Sequence, residues 1–355
     1  MRTSTLLKGV LPLFALAFLG AGCFDLSGSQ PAALDGGVFR TADQALTWKQ
    51  LNPLSLGPKL GSIADVGTVS VAFDASDPKA IYVGTSENGL IYSLDGGDSW
   101  MSARGLNTGR VNMISVDPQN KCAVYVAKAN QIIKTDNCGR DWSQVFFDTQ
   151  VDKQFTVVAV DWHNSNVVYA GTSQGDLLRS DNAGAAWGVL SRIEGTQIND
   201  LALDPRDSRN FYLATQGLGI YKMANSGASS TRLLEVFDQY DNARRPTQIV
   251  IDRNAPDTLY QVSKYGILKS DNAGGSWRAL TLPNPPNTVV IKSLAVNPAN
   301  SRQLVYATDT SIVMTSDGGA TWTSKKLPTT RGVSFVAFDR NSPPNLFLGA
   351  TPAKK

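Results

Sequence analysis

The chain has 355 residues, 42% of them hydrophobic and 18% charged, enough apolar material for a full core, and its 31 Gly and 17 Pro make it rich in turns. With 33 Lys and Arg against 30 Asp and Glu, it lacks the basic excess that nucleic-acid binding would need. A single histidine, His163, argues against His-based metal sites and a Ser/His/Asp triad, and neither metal nor cofactor is expected.

Residues 1–22 carry Arg2 and Lys8 and then an uncharged apolar run from Gly9 to Gly22, the layout of a secretory signal. The run is shorter than the roughly 20 residues of a spanning helix and contains Pro12, so export is expected rather than a permanent span. Leu19-Gly20-Ala21-Gly22-Cys23 resembles the lipobox of bacterial lipoproteins, which implies lipidation of Cys23 and anchoring at the outer membrane or cell surface. Gly20 stands where that family usually has Leu, so cleavage by the ordinary signal peptidase stays open. Residues 23–36 are expected to be the lipidated cysteine and a flexible tether, with a single domain over 37–355.

From residue 41 the pattern Ser/Thr-x-Asp/Asn-x-Gly-x-x-Trp recurs. Its first copy has Thr41, Asp43 and Trp48, with Ala45 in the glycine slot. Full copies follow as Ser93, Asp95, Gly97 and Trp100; Thr135, Asn137, Gly139 and Trp142; and Ser180, Asn182, Gly184 and Trp187. A degenerate copy from Met223 keeps Asn225 and Gly227 but has Ser230 for the tryptophan. Ser270, Asn272, Gly274 and Trp277 and then Thr315, Asp317, Gly319 and Trp322 complete the set. The copies begin at 41, 93, 135, 180, 223, 270 and 315, and a period near 45 is one four-stranded propeller blade.

Upstream of the boxes an aromatic recurs in a short apolar run, at Tyr82, Tyr125, Tyr169, Tyr212, Tyr260, Tyr306 and Phe347. Earlier still, another apolar run ends at Asp74, Asp117, Asp161, Asp204, Asp252, Asn297 and Asp339. Each unit reads strand, Asp/Asn turn, strand, Gly turn, strand, box, strand. The first box lacks an upstream strand pair, and the last pair, near Val333 and Leu346, lacks a box. The prediction is an all-β, seven-bladed propeller of four-stranded antiparallel blades, one of them completed jointly by the two termini.

Asp or Asn suits the box because its side chain can bond backbone donors, and Gly because it tolerates positive φ. Tryptophan is expected to start the outer strand and bury its face against the next blade. A motif repeated around the periphery cannot converge on one substrate, so these residues are assigned structural roles. The pattern resembles the Asp-box, or bacterial neuraminidase repeat, of sialidases, xyloglucanases, sortilin-type receptors and photosystem II stability and assembly factors. That resemblance covers about residues 37–351 and implies the fold; the activities of those families diverge.

Phe39-Arg40-Thr41-Ala42 lacks the Ile-Pro of a sialidase signature, and Arg40 fills the slot that is Lys134, Arg179, Lys222 and Lys269 elsewhere. The segments Val116 to Asn120 and Tyr169 to Thr172 resemble xyloglucanases, but that resemblance implies two propellers, each giving one catalytic Asp, and one is present. The recurring aspartates read as turn caps, with an acid pair or calcium site as the alternative. Trp162 and His163 replace the usual Pro-x of their turn, as a binding anchor or as packing. The longer segment Asp238 to Arg245, with Tyr240, Arg244 and Arg245, is a candidate binding rim or a solvated loop. Cys122 and Cys138 flank a hairpin centred near Asn130 and are expected to form a disulfide worth about 3 kcal/mol.

No catalytic residue is assigned. The expected function is a monomeric, non-enzymatic, extracytoplasmic scaffold presenting a rim or central funnel to a protein or polysaccharide of the cell envelope. The alternative is a glycan-binding or glycoside hydrolase-like propeller.

Overall fold

Residues 34–56 and 59–353 are described in this computed structural model; the expected signal sequence, Cys23 and most of the expected tether lie outside them. The strands form seven sheets, the blades of a propeller, each built on four antiparallel strands. Blade 1 takes Val333–Phe338 and Leu346–Ala350 from the C-terminal end and Val38–Thr41 and Lys49–Leu51 from the N-terminal end, with Val38 opposite Gly349 and Arg40 opposite Phe347. Blades 2 to 7 begin with Thr68–Phe73, Met113–Asp117, Phe155–Val160, Ile198–Leu203, Gln248–Ile251 and Ser293–Asn297. These six strands and Val333–Phe338 pack each against the next in a closed circle. Where blade 2 meets blade 1, Thr68 Oγ1 lies 2.6 Å from Ser334 Oγ and donates to the Ala350 carbonyl at 3.0 Å.

The second strands Ile81–Thr85, Val168–Thr172, Phe211–Thr215, Leu259–Ser263 and Leu346–Ala350 are buried at every position. A blade is covered on both faces by its neighbours, so an apolar run replaces the alternation of a half-exposed strand. The recurring aromatics sit in these seams. Tyr125 Oη donates to the Ala183 carbonyl of the next blade at 2.8 Å, and Tyr212 Oη to that of Ala273 at 3.0 Å. The basic residue before four of the boxes makes the same reach: Arg40 to Gly96 at 2.8 Å, Lys134 to Ala183 at 3.1 Å, Arg179 to Ser226 at 3.2 Å and Lys222 to Ala273 at 3.1 Å. Arg40 is therefore one of a series of interblade clasps.

The boxes are hydrogen-bonded turns between third and fourth strands. The Ser93 hydroxyl accepts from Gly97 N at 2.8 Å and donates to Asp95 at 2.7 Å, and Asp95 accepts from Ser99 N at 2.9 Å. The turn needs two successive residues at positive φ, Gly96 (+80°) and Gly97 (+93°), whereas the first copy places Gln44 (+57°) and Ala45 (+61°) there. At Gly97 a Cβ would also come within 2.7 Å of Leu51 Cδ1, so glycine serves conformation and close packing together. Trp100 begins the outer strand as expected, but Trp48, Trp142, Trp187, Trp277 and Trp322 each stand just before theirs. Trp100 is fully buried and donates from Nε1 to the Leu51 carbonyl of blade 1 at 2.9 Å.

Two departures from the regular unit have local causes. The long step between the first two boxes holds a hairpin, Pro53–Leu56 with Lys59–Ser62, which adds to blade 2 through a parallel pairing of Leu54 with Trp100. The 238–245 segment follows a single 3-10 turn, Glu235–Phe237, whose Phe237 is fully buried, as is Ala243. Asp35 and Gly36, placed in the tether by sequence, are held to the propeller: Asp35 pairs with Arg331 at 3.3 Å and Gly36 N donates to the Ala64 carbonyl at 2.7 Å. Cys122 and Cys138 are joined by a disulfide within blade 3.

Candidate functional site

The central channel is built from the seven innermost strands, each of which ends in an acid or amide that caps the turn to the second strand. The acceptors are Asp74 for Ser76 N (2.7 Å), Asp117 for Gln119 N (2.9 Å), Asp161 for His163 N (2.8 Å) and Asp204 for Arg206 N (2.9 Å). Asp252 accepts from Asn254 N (2.9 Å), Asn297 from Ala299 N (2.7 Å) and Asp339 from Asn341 N (3.1 Å). All seven are buried. A backbone donor partly shielded from water at a strand end needs such a partner, and the repetition follows from that need.

The residue after each cap stands at one mouth of the channel. In blade order from blade 2 these are Ala75, Pro118, Trp162, Pro205, Arg253 and Pro298, and then Arg340 in blade 1. All but Ala75 line a cavity of about 450 Å³, whose deeper wall includes Val71, Ile114, Val160, Leu203, Ile251 and Phe338. The Arg253 guanidinium carbon lies 4.3 Å from the centre of a ring of Trp162, and that of Arg340 lies 6.0 Å from the same indole. Three blades thus bring two cations to one indole. Among the described residues no carboxylate comes within ion-pairing distance of either guanidinium. Crowding by the surrounding rim, with Arg340 nearby, pushes the Arg253 pKa down although its side chain still reaches solvent; partial burial pushes Arg340 down too, partly offset by Asp74. Guanidinium is basic enough that both stay charged, so the mouth holds two positive charges in a confined space.

The five binding candidates fall in two places. Trp162 is half-buried, packs on the seam between blades 4 and 5, and forms the mouth. Its neighbour His163 is exposed, with Nε2 3.1 Å from the Pro205 carbonyl oxygen. Tyr240, Arg244 and Arg245 lie at the loop from blade 5 to blade 6, at the opposite ends of the strands. Tyr240 is half-buried against Tyr265 and donates to the Trp277 carbonyl at 3.1 Å. Arg244 pairs with Asp238, while exposed Arg245 lines a polar groove of about 580 Å³ with Gln174, Gln197 and Gln216.

Asp200, absent from the sequence-based candidates, lines the same channel three residues before the end of Ile198–Leu203. Burial pushes its pKa up to about 6, against the opposing effect of hydrogen bonds from Ile249 N (3.0 Å) and Leu201 N (2.9 Å). The bond to Ile249 crosses to blade 6, and Gln248 makes the same bridge to blade 7 through Leu294 N at 2.8 Å and the Leu294 carbonyl at 3.1 Å. These side chains join neighbouring inner strands, whose facing edges carry otherwise unpaired backbone groups. Arg253 and Arg340 carried a signal that sequence reading used only for Trp162: each replaces proline after the capping acid. Asp200 carried none, because only the strand register shows that it faces the lumen.

The family described as photosynthesis system II assembly factor YCF48 matches residues 62–338. A xyloglucanase of Paenibacillus sp. is 28% identical over 247 residues, covering 66% of this chain and 23% of that protein. A xyloglucanase of Hypocrea jecorina is 23% identical, over 76% of this chain and 32% of its own length, so the chain spans at most a third of either curated relative. Among solved structures, YCF48 bound to D1 peptide superposes with a TM-score of 0.61 at 16% identity, covering 81% of this chain and 94% of that one. The GH74 xyloglucanase from Xanthomonas campestris superposes at 0.65 and 18% identity, over 81% of this chain and 51% of that one. At such identities the superpositions establish the fold alone.

Proposed function

The chain belongs to the family described as photosynthesis system II assembly factor YCF48, and from that premise we propose that it is a non-enzymatic assembly scaffold, exported and tethered through Cys23, that grips a segment of a partner protein at the channel mouth. The observation that carries this reading is the Arg253, Trp162 and Arg340 cluster, charged and aromatic and without a counter-ion among the described residues. An aromatic anchor flanked by arginines is the composition of an interface hot spot. The recurring aspartates support the same reading. Each is buried and committed to a turn, where a glycoside hydrolase needs two carboxyl groups facing a substrate cleft. A solved structure of YCF48 is bound to D1 peptide, so a peptide ligand has a precedent within the family.

A photo-crosslinking residue at Pro298, on the mouth, is expected to capture one discrete partner in cells, and the same residue at Arg245 is expected to capture none. Equal capture at both positions, or capture at Arg245 alone, rejects the mouth as the binding face. Replacing Cys23 by Ser is expected to move the protein from the membrane to the soluble fraction; unchanged partitioning rejects the anchor. The second reading, glycan binding, draws on the likeness to xyloglucanases and on the amide-rich groove of Gln174, Gln197 and Gln216. Release of reducing ends from xyloglucan by the purified chain would favour it over the scaffold.

A further inference from the structure

We infer that the channel mouth is a carboxylate clamp, in which Arg253 and Arg340 together bind one carboxylate of a peptide, Trp162 supports the chain behind it, and the adjoining apolar side chain enters the channel. This rests on the reading of the mouth as the partner-binding face and adds the chemistry of the ligand.

The geometry sets the size of what fits. Both guanidinium carbons lie within 6.0 Å of one indole, which places them no more than about 10 Å apart. A carboxylate accepts charge-assisted bonds of roughly 2.8 Å on each oxygen, so a single one engages both forks once their carbons stand about 8 Å apart or closer, a gap that the long, exposed Arg253 side chain can close. Without it, two like charges face each other and a π face that relieves only part of their repulsion. Arg253 is exposed to solvent and Arg340 half-buried, so the pair is accessible from outside.

The channel beneath selects what accompanies the charge. Its lining mixes apolar side chains, Val71, Ala159, Ala202 and Ile251, with the polar Gln248 and Asp200, so one apolar side chain has room there and a second anion is disfavoured. Asp200, midway along its inner strand in the same lining, adds a negative charge when ionised, which repels a second acid and disfavours a doubly charged phosphate in the same lumen. Prolines at Pro118, Pro205 and Pro298 fill the rest of the rim with groups that fix the loop backbone and carry no N–H to compete for the ligand. The ligand class is a peptide with one carboxylate next to a Leu- or Val-sized residue. That carboxylate comes from either a C-terminus or a Glu or Asp side chain.

The full-length protein in detergent should be titrated by calorimetry, with tryptophan fluorescence in parallel, using short Leu-rich peptides. The four probes have a free C-terminus and no acid, an amidated end and no acid, an amidated end and one Glu, and an amidated end and one phosphoserine. Binding of the first probe alone identifies a terminal carboxylate; binding of the third identifies a side-chain carboxylate; either supports the clamp. Arg253→Gln and Arg340→Gln should each weaken the binding probe about tenfold or more, the loss expected for a hydrogen bond to a charged group. The fluorescence change should disappear in Trp162→Phe. Binding of the uncharged probe as tightly as the others, preference for phosphoserine, absence of binding by both carboxylate probes, or indifference to both arginine substitutions would overturn the inference. If the peptides fail while Pro298 still crosslinks a partner in cells, the clamp falls and the scaffold reading stands. If they bind and Pro298 captures nothing, the reverse holds.

Discussion

Two rings of turns lie on one face of this propeller, the boxes outside and the capped turns inside, and they treat repetition differently. In the outer ring the same bonds from a hydroxyl to an acid or amide, and from backbone to that hydroxyl, recur in every copy but the one at Met223, as at Ser93 and Asp95 and again at Thr315 and Asp317. In the inner ring the cap recurs but the next residue does not, passing from proline to tryptophan to arginine. The outer turns must each solve the same local problem of closing a strand pair beside a neighbour. The inner side chains meet at one axis, where blades can contribute unlike groups to a common site. Uniformity therefore marks structure here, and the break in uniformity marks the place where a ligand would be recognised.

The largest expected effect breaks this comparison at two tryptophans. Trp100→Ala removes a fully buried side chain and its bond to the Leu51 carbonyl. It should cost about 3 to 5 kcal/mol in urea unfolding, as for large aromatic deletions in cores. Trp162→Ala should change stability by no more than about 1 kcal/mol, since the side chain is half-buried at a rim, while abolishing peptide binding. If Trp162→Ala proves as destabilising as Trp100→Ala, the inner aromatic is packing and the contrast between the rings collapses.

The outer ring was legible because its period and its turn chemistry are both local. Seven copies near a 45-residue spacing define the blades without any knowledge of distance, and an unpaired first box and last strand pair predict the shared blade. The inner ring was legible only in part. Trp162 attracted notice as an aromatic in a proline position, whereas Arg253 and Arg340 make the same substitution with a residue type that is ordinary on surfaces. Their meaning comes from convergence across three blades, which no spacing along the chain reveals. Asp200 depends on still finer detail, because a register shift between Ile198 and Asp200 decides which side chain turns inward.

A smaller effect tests whether the channel acid belongs to the inner ring electrostatically. The Asp200 pKa is raised to about 6, so the neutral acid is the form the fold favours. Its stabilising contribution is complete below the ordinary carboxylate value near 4 and is lost as pH rises through 6. Across that interval the loss should be roughly 1 to 2 kcal/mol. Asp200→Ser, which installs the residue that blade 2 carries at the matching position, Ser70, should flatten the dependence of the unfolding midpoint on pH between 4 and 6 whatever offset it introduces. A slope that persists in the variant would assign the titration elsewhere.

The smallest effect has the opposite sign and belongs to the outer ring. Hydrogen bonds from the Thr315 and Thr321 hydroxyls and from Thr321 N hold the Asp317 carboxyl well below the usual range. A depressed carboxylate stabilises the fold above the ordinary value near 4, and that contribution disappears as pH falls toward the depressed one. Other copies of the box indicate how an amide would replace it. Asn272 accepts from Ser276 N at 2.8 Å through Oδ1 and donates from Nδ2 to the Ser276 hydroxyl at 3.0 Å, so the turn keeps its geometry without a charge. Asp317→Asn should therefore match the parent in thermal unfolding at pH 7 and unfold less steeply with acid below pH 4. Loss of stability at pH 7 would mean that the acid and amide copies of the box are not equivalent, and that the outer ring holds a distinction its repeated geometry conceals.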